Sequence, residues 1–160
     1  MRVPVRRRCG ELALAIAPQF VSIPLAVAVI AASPVPEAIP AQVVRVVDGD
    51  TIEVRASIWP GHEVRVLVRL HGIDAPELPG RCRAESDKAE AARQLVGRLT
   101  RGRAVTLYGV RHGKYAGRVV ARVVAGRVTA GADDLGEALL AAGLARRYAG
   151  GERKGWCGGE

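Results

Sequence analysis

The chain has 160 residues, of which 49% are apolar and 25% charged, and its formal net charge is +8. This length argues against two domains and favours one domain with an appendage, and the apolar content is sufficient for a packed core. A small basic domain points to polyanionic partners such as nucleic acid, acidic glycan or anionic lipid. Composition alone leaves a second explanation open, namely that a GC-rich genome encodes arginine freely.

Residues 1–33 have the pattern of an export signal. Arginines open this segment, residues 12–32 are largely apolar, and small residues at 31–33 offer a signal-peptidase site. If it is not cleaved, the apolar stretch has the roughly 20 residues needed to span a bilayer, with the N-terminus inside the cell. Both alternatives, signal peptide and membrane anchor, predict an exported domain, periplasmic or secreted. We place it at residues 42–160, after a proline-rich linker at residues 34–41.

The cysteines fit an exported protein. Cys9 lies within the N-terminal segment, which leaves Cys82 and Cys157 as one pair in the remaining chain. In an oxidising compartment, two lone cysteines indicate a disulfide rather than a catalytic thiol or a metal site. The chain has no CxxC motif and its three histidines are scattered, so a zinc site is not expected.

Three strands are predicted in the first half of the domain. Residues 43–47 are rich in β-formers, end in an Asp-Gly-Asp turn at 48–50 and continue as a second run at 51–55, which is a hairpin pattern. Residues 63–70 alternate between apolar and mostly polar positions, which is typical of a half-buried strand. A loop rich in turn-forming residues follows at 71–83.

The second half predicts helix, strand, strand and helix. Apolar residues recur at helical spacing over residues 85–100, and residues 105–110 and 119–124 have strand character. Asp133 and Asp134 are N-cap candidates for a short final helix. This order predicts an α+β, mainly β, fold: an OB-fold five-stranded barrel with two to three helices packed on it.

Three short segments carry residues suited to chemistry. They are Asp-Gly-Asp-Thr at residues 48–51, Arg-Leu-His-Gly-Ile-Asp-Ala-Pro-Glu at 69–77, and Lys-Tyr-Ala-Gly-Arg at 114–118. Each has an ordinary explanation by itself: a hairpin turn, a solvated strand face followed by a helix-capping loop, and the edge of a strand. Their occurrence together and in this order is much more specific than any one of them.

Together, the three segments resemble the staphylococcal nuclease (thermonuclease) family, over residues 42–156. The resemblance implies a calcium-dependent nuclease that hydrolyses phosphodiester bonds of DNA and RNA with low sequence specificity and leaves 3′-phosphate ends. It also implies the calcium ligands, which are the carboxylates of Asp50 and Asp74 and the main-chain carbonyl of Ala75. Nothing in the sequence indicates a protein partner, and we expect a monomer.

The resemblance further implies a role for each remaining residue. Glu77 matches the glutamate that positions or deprotonates the attacking water, and Arg69 and Arg118 match the two arginines that grip the phosphate. Lys114, Tyr115 and Tyr148 match positions near the nucleotide, although Tyr148 could equally cover the edge of the barrel. Hard cations prefer oxygen ligands, a nearby carboxylate can accept a proton, and guanidinium groups pair with phosphate oxygens, so these residue types suit hydrolysis of an anionic ester.

The sequence departs from the family pattern in three respects. Gly113 stands where many members have aspartate, and Ala116 lengthens the turn before Arg118 by one residue. The C-terminal tail is also short, and we expect a Cys82–Cys157 disulfide to pin it with Trp156 buried beside it. These departures leave two alternatives open: a barrel that binds nucleic acid without cutting it, and a surface module that binds anionic lipid or glycan.

Overall fold

The structure is a computed structural model and describes residues 38–126 and 133–157. The expected signal or anchor at residues 1–33 and the first part of the linker lie outside these residues. Within the ranges that the structure describes, no helix is long and apolar enough to cross a membrane.

The first three strands form an antiparallel meander: β1 (Ala38–Val46), β2 (Thr51–Trp59) and β3 (His62–Leu70). The predicted alternation in β3 is confirmed at its C-terminal end, where Val68 and Leu70 are buried in the core. Its N-terminal end extends beyond the core, because Val64 is 41% exposed. The core-facing half of β3 therefore leads directly into the loop that carries Asp74 and Glu77.

The remaining elements are β4 (Ile73–Asp74), α1 (Arg83–Thr100), β5 (Ala104–His112), β6 (Arg118–Ala125), β7 (Asp133–Asp134), α2 (Leu135–Ala141) and β8 (Arg146–Arg147). The main sheet has the order β3-β2-β1-β5-β6-β7, and a parallel pairing of β3 with β6 closes five of these strands into a barrel. The expected mainly β, OB-fold barrel is confirmed, with two helices in the described part of the chain.

Strand β1 begins earlier than the predicted domain boundary. Residues 38–41, expected in the linker, pair with β5 and bury Ile39 and Ala41 in the core. Pro40 had indicated a linker, because proline has no N–H to donate. It is tolerated because this end of β1 pairs with β5 on one side, while pairing with β2 begins only at Ala41.

The helices pack on the barrel near one of its ends. Ala89, Ala92 and Val96 are fully buried along one face of α1, as the helical spacing predicted. Asp134 caps α2, since its Oδ1 accepts hydrogen bonds from the amides of Gly136 and Glu137. The predicted N-cap of the last helix is thus confirmed at Asp134.

A small second sheet connects the C-terminal segment to the loop after β3. Strands β4 and β8 pair with Ile73 opposite Arg147 and Asp74 opposite Arg146. The amide of Tyr148 adds a hydrogen bond to the carbonyl of Gly72 at 2.9 Å. This pairing directs the last residues of the chain towards Asp74.

Candidate functional site

Asp50 lies at the tip of the turn between β1 and β2, where the chain packs against α1. A Cβ placed on Gly49 would lie 2.6 Å from the Cβ of Ala92 and 2.9 Å from the Cβ of Ala75. Only glycine allows this approach. The turn is therefore held against the helix, and the side chain of Asp50 is only 2% exposed.

Three hydrogen bonds fix the carboxylate of Asp50. Its Oδ1 accepts hydrogen bonds from Arg69 Nη1 at 2.7 Å and from Thr51 Oγ1 at 3.0 Å. Its Oδ2 accepts a hydrogen bond from the amide of Ala75 at 3.0 Å. Arg69 also reaches the second aspartate, with Nη2 3.6 Å from Asp74 Oδ1. The structure thus brings together Asp50, Arg69, Asp74 and Ala75.

Asp74 has a buried oxygen that lacks a hydrogen-bond donor. The residue is 4% exposed, and its Oδ2 accepts a hydrogen bond from Trp156 Nε1 at 3.3 Å. Among the described residues, no group donates a hydrogen bond to its Oδ1. Buried carboxylate oxygens usually have a partner. Two guanidinium groups nevertheless lie at ion-pair distance from this oxygen, Arg69 Nη2 at 3.6 Å and Arg153 Nε at 3.2 Å. A set made of carboxylate oxygens suits a hard cation such as Ca²⁺, which would compete with these guanidinium groups.

Burial and neighbouring carboxylates raise the pKa values of Asp48 and Asp50. Burial, followed by the charges of Asp50 and Glu77, raises the pKa of Asp48 to about 6. Burial also raises the pKa of Asp50, although the nearby Arg69 guanidinium opposes the change. Carboxylates that disfavour each other's ionised form are stabilised when a cation binds between them.

Glu77 lies at the mouth of the site beside an arginine from the tail. Its side chain is 49% exposed and accepts a hydrogen bond from Arg153 Nη1. Arg153 Nε lies 3.2 Å from Asp74 Oδ1, so one guanidinium contacts both carboxylates. Arg153 and Trp156 join Asp74 and Glu77 around a cleft of about 200 Å³. The sequence analysis missed Arg153, which lies in a glycine-rich tail outside every motif.

Arg118 reaches the same face of the barrel from β6. The parallel register places Leu67 opposite Arg118 and Arg69 opposite Val120. Side chains two residues apart on a strand point to the same side of the sheet, so Arg69 points to the same side as Leu67. Arg118, which lies opposite Leu67, therefore shares that side with Arg69 and is about 7 Å away along the strand direction. In the part of the chain that the structure describes, no carboxylate pairs with Arg118; its side chain lies 5.8 Å from the ring of Tyr115.

The turn before Arg118 requires the glycine that replaces the family's aspartate. The amide of Gly113 donates to the carbonyl of Arg118 at 2.9 Å. A Cβ at Gly113 would lie 2.7 Å from that same oxygen. Lys114 and Tyr115 occupy the tip of this turn, where Tyr115 is 61% exposed and its ring centre lies 5.8 Å from Lys114 Nζ.

Tyr148 is engaged with the tail. Its hydroxyl donates a hydrogen bond to the carbonyl of Gly151 at 2.6 Å, and its side chain is half-buried. The structure thus places the ring beside the start of the tail that carries Arg153. A contact between Tyr148 and a nucleotide stays a prediction.

The end of the tail is anchored near the start of α1. The sulfur atoms of Cys82 and Cys157 lie at bonding distance, and their Cα atoms are 6.0 Å apart. Arg146 stacks on Trp156 with 3.7 Å between the guanidinium carbon and the ring centre. It also donates a hydrogen bond to the carbonyl of Lys154 at 2.7 Å. The half-buried Trp156 and its neighbours hold Arg153 over the site.

A second group of potential metal ligands lies at this anchor. Donor atoms of Cys82, Glu85 and Cys157 lie within 4.8 Å of one another. Thiolates bind metals, whereas sulfurs that are bonded to each other are not thiolates. With the two cysteines joined, this group offers a single carboxylate, and that carboxylate accepts a hydrogen bond from the amide of Arg81 at 2.7 Å.

Comparison with known proteins gives a family match over the part of the chain that contains most of the candidate site residues. A family model described as staphylococcal nuclease homologue matches residues 67–155, which is more than half of the sequence. The matched segment contains Arg69, Asp74, Glu77 and Arg118, whereas Asp50 precedes it. A search of curated proteins found no match.

Proposed function

The chain belongs to the staphylococcal nuclease family, and from this premise we propose that it is a calcium-dependent nuclease of DNA and RNA with low sequence preference. The observation that carries the proposal is the buried pair Asp50 and Asp74, linked through Arg69, with Glu77 at the mouth of the site. The resemblance adds the expected products, with 3′-phosphate and 5′-hydroxyl ends.

The two aspartates are the proposed cation ligands. Asp50 and Asp74, with the carbonyl of Ala75, would hold Ca²⁺, which when bound offsets the negative charge of the phosphate. The buried Oδ1 of Asp74 supports this assignment, because no described residue donates a hydrogen bond to it and its nearest cationic neighbours are ion-paired guanidinium groups that a metal ion could replace. The hydrogen bonds to Asp50 support it too, because they hold that carboxylate in one orientation before any ligand arrives.

Glu77 is the proposed base. Its partial exposure leaves room for a water molecule, and a carboxylate near the reacting phosphorus can accept the proton that this water loses. The water oxygen then bonds to phosphorus, the bond from phosphorus to the 5′ oxygen breaks, and the leaving oxygen takes a proton from solvent. Arg153 must move away from Glu77 Oε1 for that oxygen to accept a proton.

The two arginines have different proposed duties. Arg69 is fixed by Asp50 and reaches across to Asp74, so it orients the carboxylates as well as facing the phosphate. Arg118 has no carboxylate partner among the described residues, which leaves its guanidinium available for the charge that develops on the phosphate oxygens. Lys114, Tyr115 and Tyr148 are the proposed nucleotide contacts; Tyr115 is exposed enough to stack on a base.

The remaining parts of the proposal concern location. We infer that residues 1–33 export the domain, as a cleaved signal or as an anchor, and that it acts there as a monomer. A Cys82–Cys157 disulfide would be stable in such a compartment.

A second function is favoured by the position of Arg153. A guanidinium between Asp74 and Glu77 neutralises the carboxylates that a cation needs, so the chain could bind nucleic acid without cutting it. Calcium-dependent cleavage separates the two functions, since only the nuclease has it.

The test is digestion of plasmid DNA, single-stranded DNA and RNA by the oxidised chain with Ca²⁺ or with a chelator. We expect cleavage only with Ca²⁺, and loss of cleavage in Asp50→Asn. Asp87→Asn, a matched change at an exposed position of α1, is expected to cut like the parent chain. Binding without cleavage under all conditions would establish the second function instead.

A further inference from the structure

A second basic cleft of about 530 Å³ lies between β1 and α1. Four arginines line it: Arg45 from β1, Arg93 and Arg98 from α1, and Arg101 directly after that helix. All four side chains are exposed. None of these arginines lies in the three motif segments of the sequence, residues 48–51, 69–77 and 114–118.

The positive charge of this cleft is only partly neutralised. Arg45 pairs with Glu53, which also binds Arg65, and Arg93 pairs with Glu90 at 2.8 Å. Within residues 38–126 and 133–157, no carboxylate pairs with Arg98 or Arg101. These two arginines therefore present uncompensated charge to an anionic ligand.

The floor of the cleft contains a glycine that packing does not require. Gly97 lies in the interior of α1, where glycine is less favourable than alanine. A Cβ at this position would meet nothing within 4 Å in the described part of the chain. The missing side chain leaves the helix backbone bare between Arg93 and Arg101, which permits close approach by a ligand.

The cleft lies close to the candidate cation site along both β1 and α1. Val46 lines it and lies four positions before Asp50, a reach of at most about 14 Å. Ala92, which contacts the Gly49 turn from the helix side, directly precedes Arg93. A strand of nucleic acid with one phosphate at the proposed cation site thus needs only a few further nucleotides to reach the arginines, because a strand of duplex DNA advances about 3.4 Å along the helix axis with each nucleotide.

We propose that this cleft binds the phosphates of the substrate strand beyond the phosphate that is cut. The inference rests on the proposed nuclease function and makes the preferred substrate a polynucleotide rather than a dinucleotide. Arg98 and Arg101 supply the charge, and Gly97 supplies the space. Phosphate contacts of this kind carry no sequence information, in keeping with low sequence preference.

The test measures binding by the full-length oxidised chain in chelator, where no cleavage occurs. Fluorescence anisotropy gives the affinity for a labelled single-stranded 16-nucleotide probe (about one OB-fold site at most) and for a labelled dinucleotide, at several salt concentrations. Arg98→Gln/Arg101→Gln removes the charge, and Gly97→Leu fills the floor without changing the charge. Arg55→Gln/Arg83→Gln, at exposed positions outside the cleft, is the matched control.

We expect the charge-removing pair to weaken binding of the long probe by about 10-fold at 0.1 M salt. The slope of log K against log salt should fall by about 1.4, since each phosphate contact on a single strand contributes about 0.7. Gly97→Leu should weaken binding of the long probe while its melting temperature stays at or above that of the parent. Dinucleotide binding should be unchanged in both.

Several outcomes would overturn the inference. Equal losses of affinity in the cleft pair and the control pair would show a general charge effect. Equal losses for the 16-nucleotide probe and the dinucleotide would mean that the arginines do not act on phosphates beyond the one that is cut. If the cleft variants lose affinity for vesicles of anionic lipid while their affinity for the nucleic-acid probes is unchanged, the cleft binds a lipid surface instead. Failure of the parent chain to bind either probe would contradict the nuclease proposal itself, which is a different result from normal parent binding with unaffected variants.

Discussion

Arg153 Nε lies 3.2 Å from Asp74 Oδ1, and the same guanidinium donates a hydrogen bond to Glu77. The arginine comes from the tail, which is held near α1 by Cys157 and stacked against Arg146 through Trp156. A positive side chain thus contacts the carboxylates that are proposed to bind the cation and to accept the proton. Cation binding and the position of the tail must therefore be coupled.

The first prediction concerns this coupling. Arg153→Ala should increase the affinity for Ca²⁺ by about 10-fold, the scale of one lost charge-assisted hydrogen bond, because the ion no longer displaces a bound guanidinium. Titration calorimetry measures the affinity directly. Arg83→Ala, an exposed arginine on α1 paired at 3.8 Å with Asp87, is the matched control. Weaker binding by the Arg153 variant would show that the arginine supports the cation site.

The second prediction separates the two arginines that are proposed to face the phosphate. Arg69→Ala should lower the free energy of unfolding by roughly 3 kcal/mol, because it leaves the buried Asp50 carboxylate without its charged partner. Arg118→Ala should change stability by less than about 0.5 kcal/mol, since its recorded side-chain contact is with an exposed ring. Urea unfolding in chelator measures both. A large loss in Arg118→Ala would mean that it carries structure.

Arg118 is also expected to contribute to the rate of cleavage. Arg118→Lys should lower kcat by about 10²-fold, because an ammonium group cannot replace the forked donors of a guanidinium at the phosphate. The variant should keep the melting temperature of the parent. Unchanged kcat would remove Arg118 from the proposed mechanism.

A third prediction concerns Gly113. Restoring the aspartate that many family members have should lower activity, because its Cβ would lie 2.7 Å from the carbonyl oxygen of Arg118 and force the turn to move. A displacement of about 1 Å at a phosphate ligand can cost as much as 10²-fold in rate. Initial rates on single-stranded DNA measure the effect, with Ser57→Asp as a control that adds a carboxylate at an exposed position of β2. Higher activity in Gly113→Asp would contradict this account of the turn.

A fourth prediction concerns the tail anchor. Cys157→Ser should lower the free energy of unfolding by about 4 kcal/mol, the chain-entropy value for closing a loop with a separation of 75 residues. Mass measurement after alkylation, with and without reduction, shows whether the bond is present. The double variant Cys82→Ser/Cys157→Ser should match the single one. Two free thiols in the chain purified under oxidising conditions would contradict the bond.

Much of the barrel could be predicted because its strands alternate clearly and its turns contain glycine and aspartate. Asp50, Arg69, Asp74 and Ala75 occur in motifs whose spacing reflects the structure, and the structure brings them together. The start of β1 was misjudged because Pro40 resembles a linker residue. Only the structure shows that this end of β1 pairs with β5 before its pairing with β2 begins at Ala41.

The contribution of the tail could not be predicted from local pattern. Strands β4 and β8 have two residues each, too few for periodicity to be visible. Arg153 reaches Glu77 across 76 positions of sequence, and only the β4–β8 pairing and the anchor at Cys157 bring it there. Contacts of this kind depend on tertiary packing, which the sequence of a glycine-rich segment does not display.

The most direct test of the central claim is the rate of single-stranded DNA cleavage by Glu77→Gln in saturating Ca²⁺. The substitution keeps the shape of the side chain but removes its ability to accept a proton. We predict a loss of about 10²- to 10⁴-fold with Ca²⁺ and DNA affinities close to the parent values, while Glu63→Gln, at an exposed strand position, cuts normally. Cleavage by Glu77→Gln at the parent rate would contradict a nuclease in which Glu77 is the base.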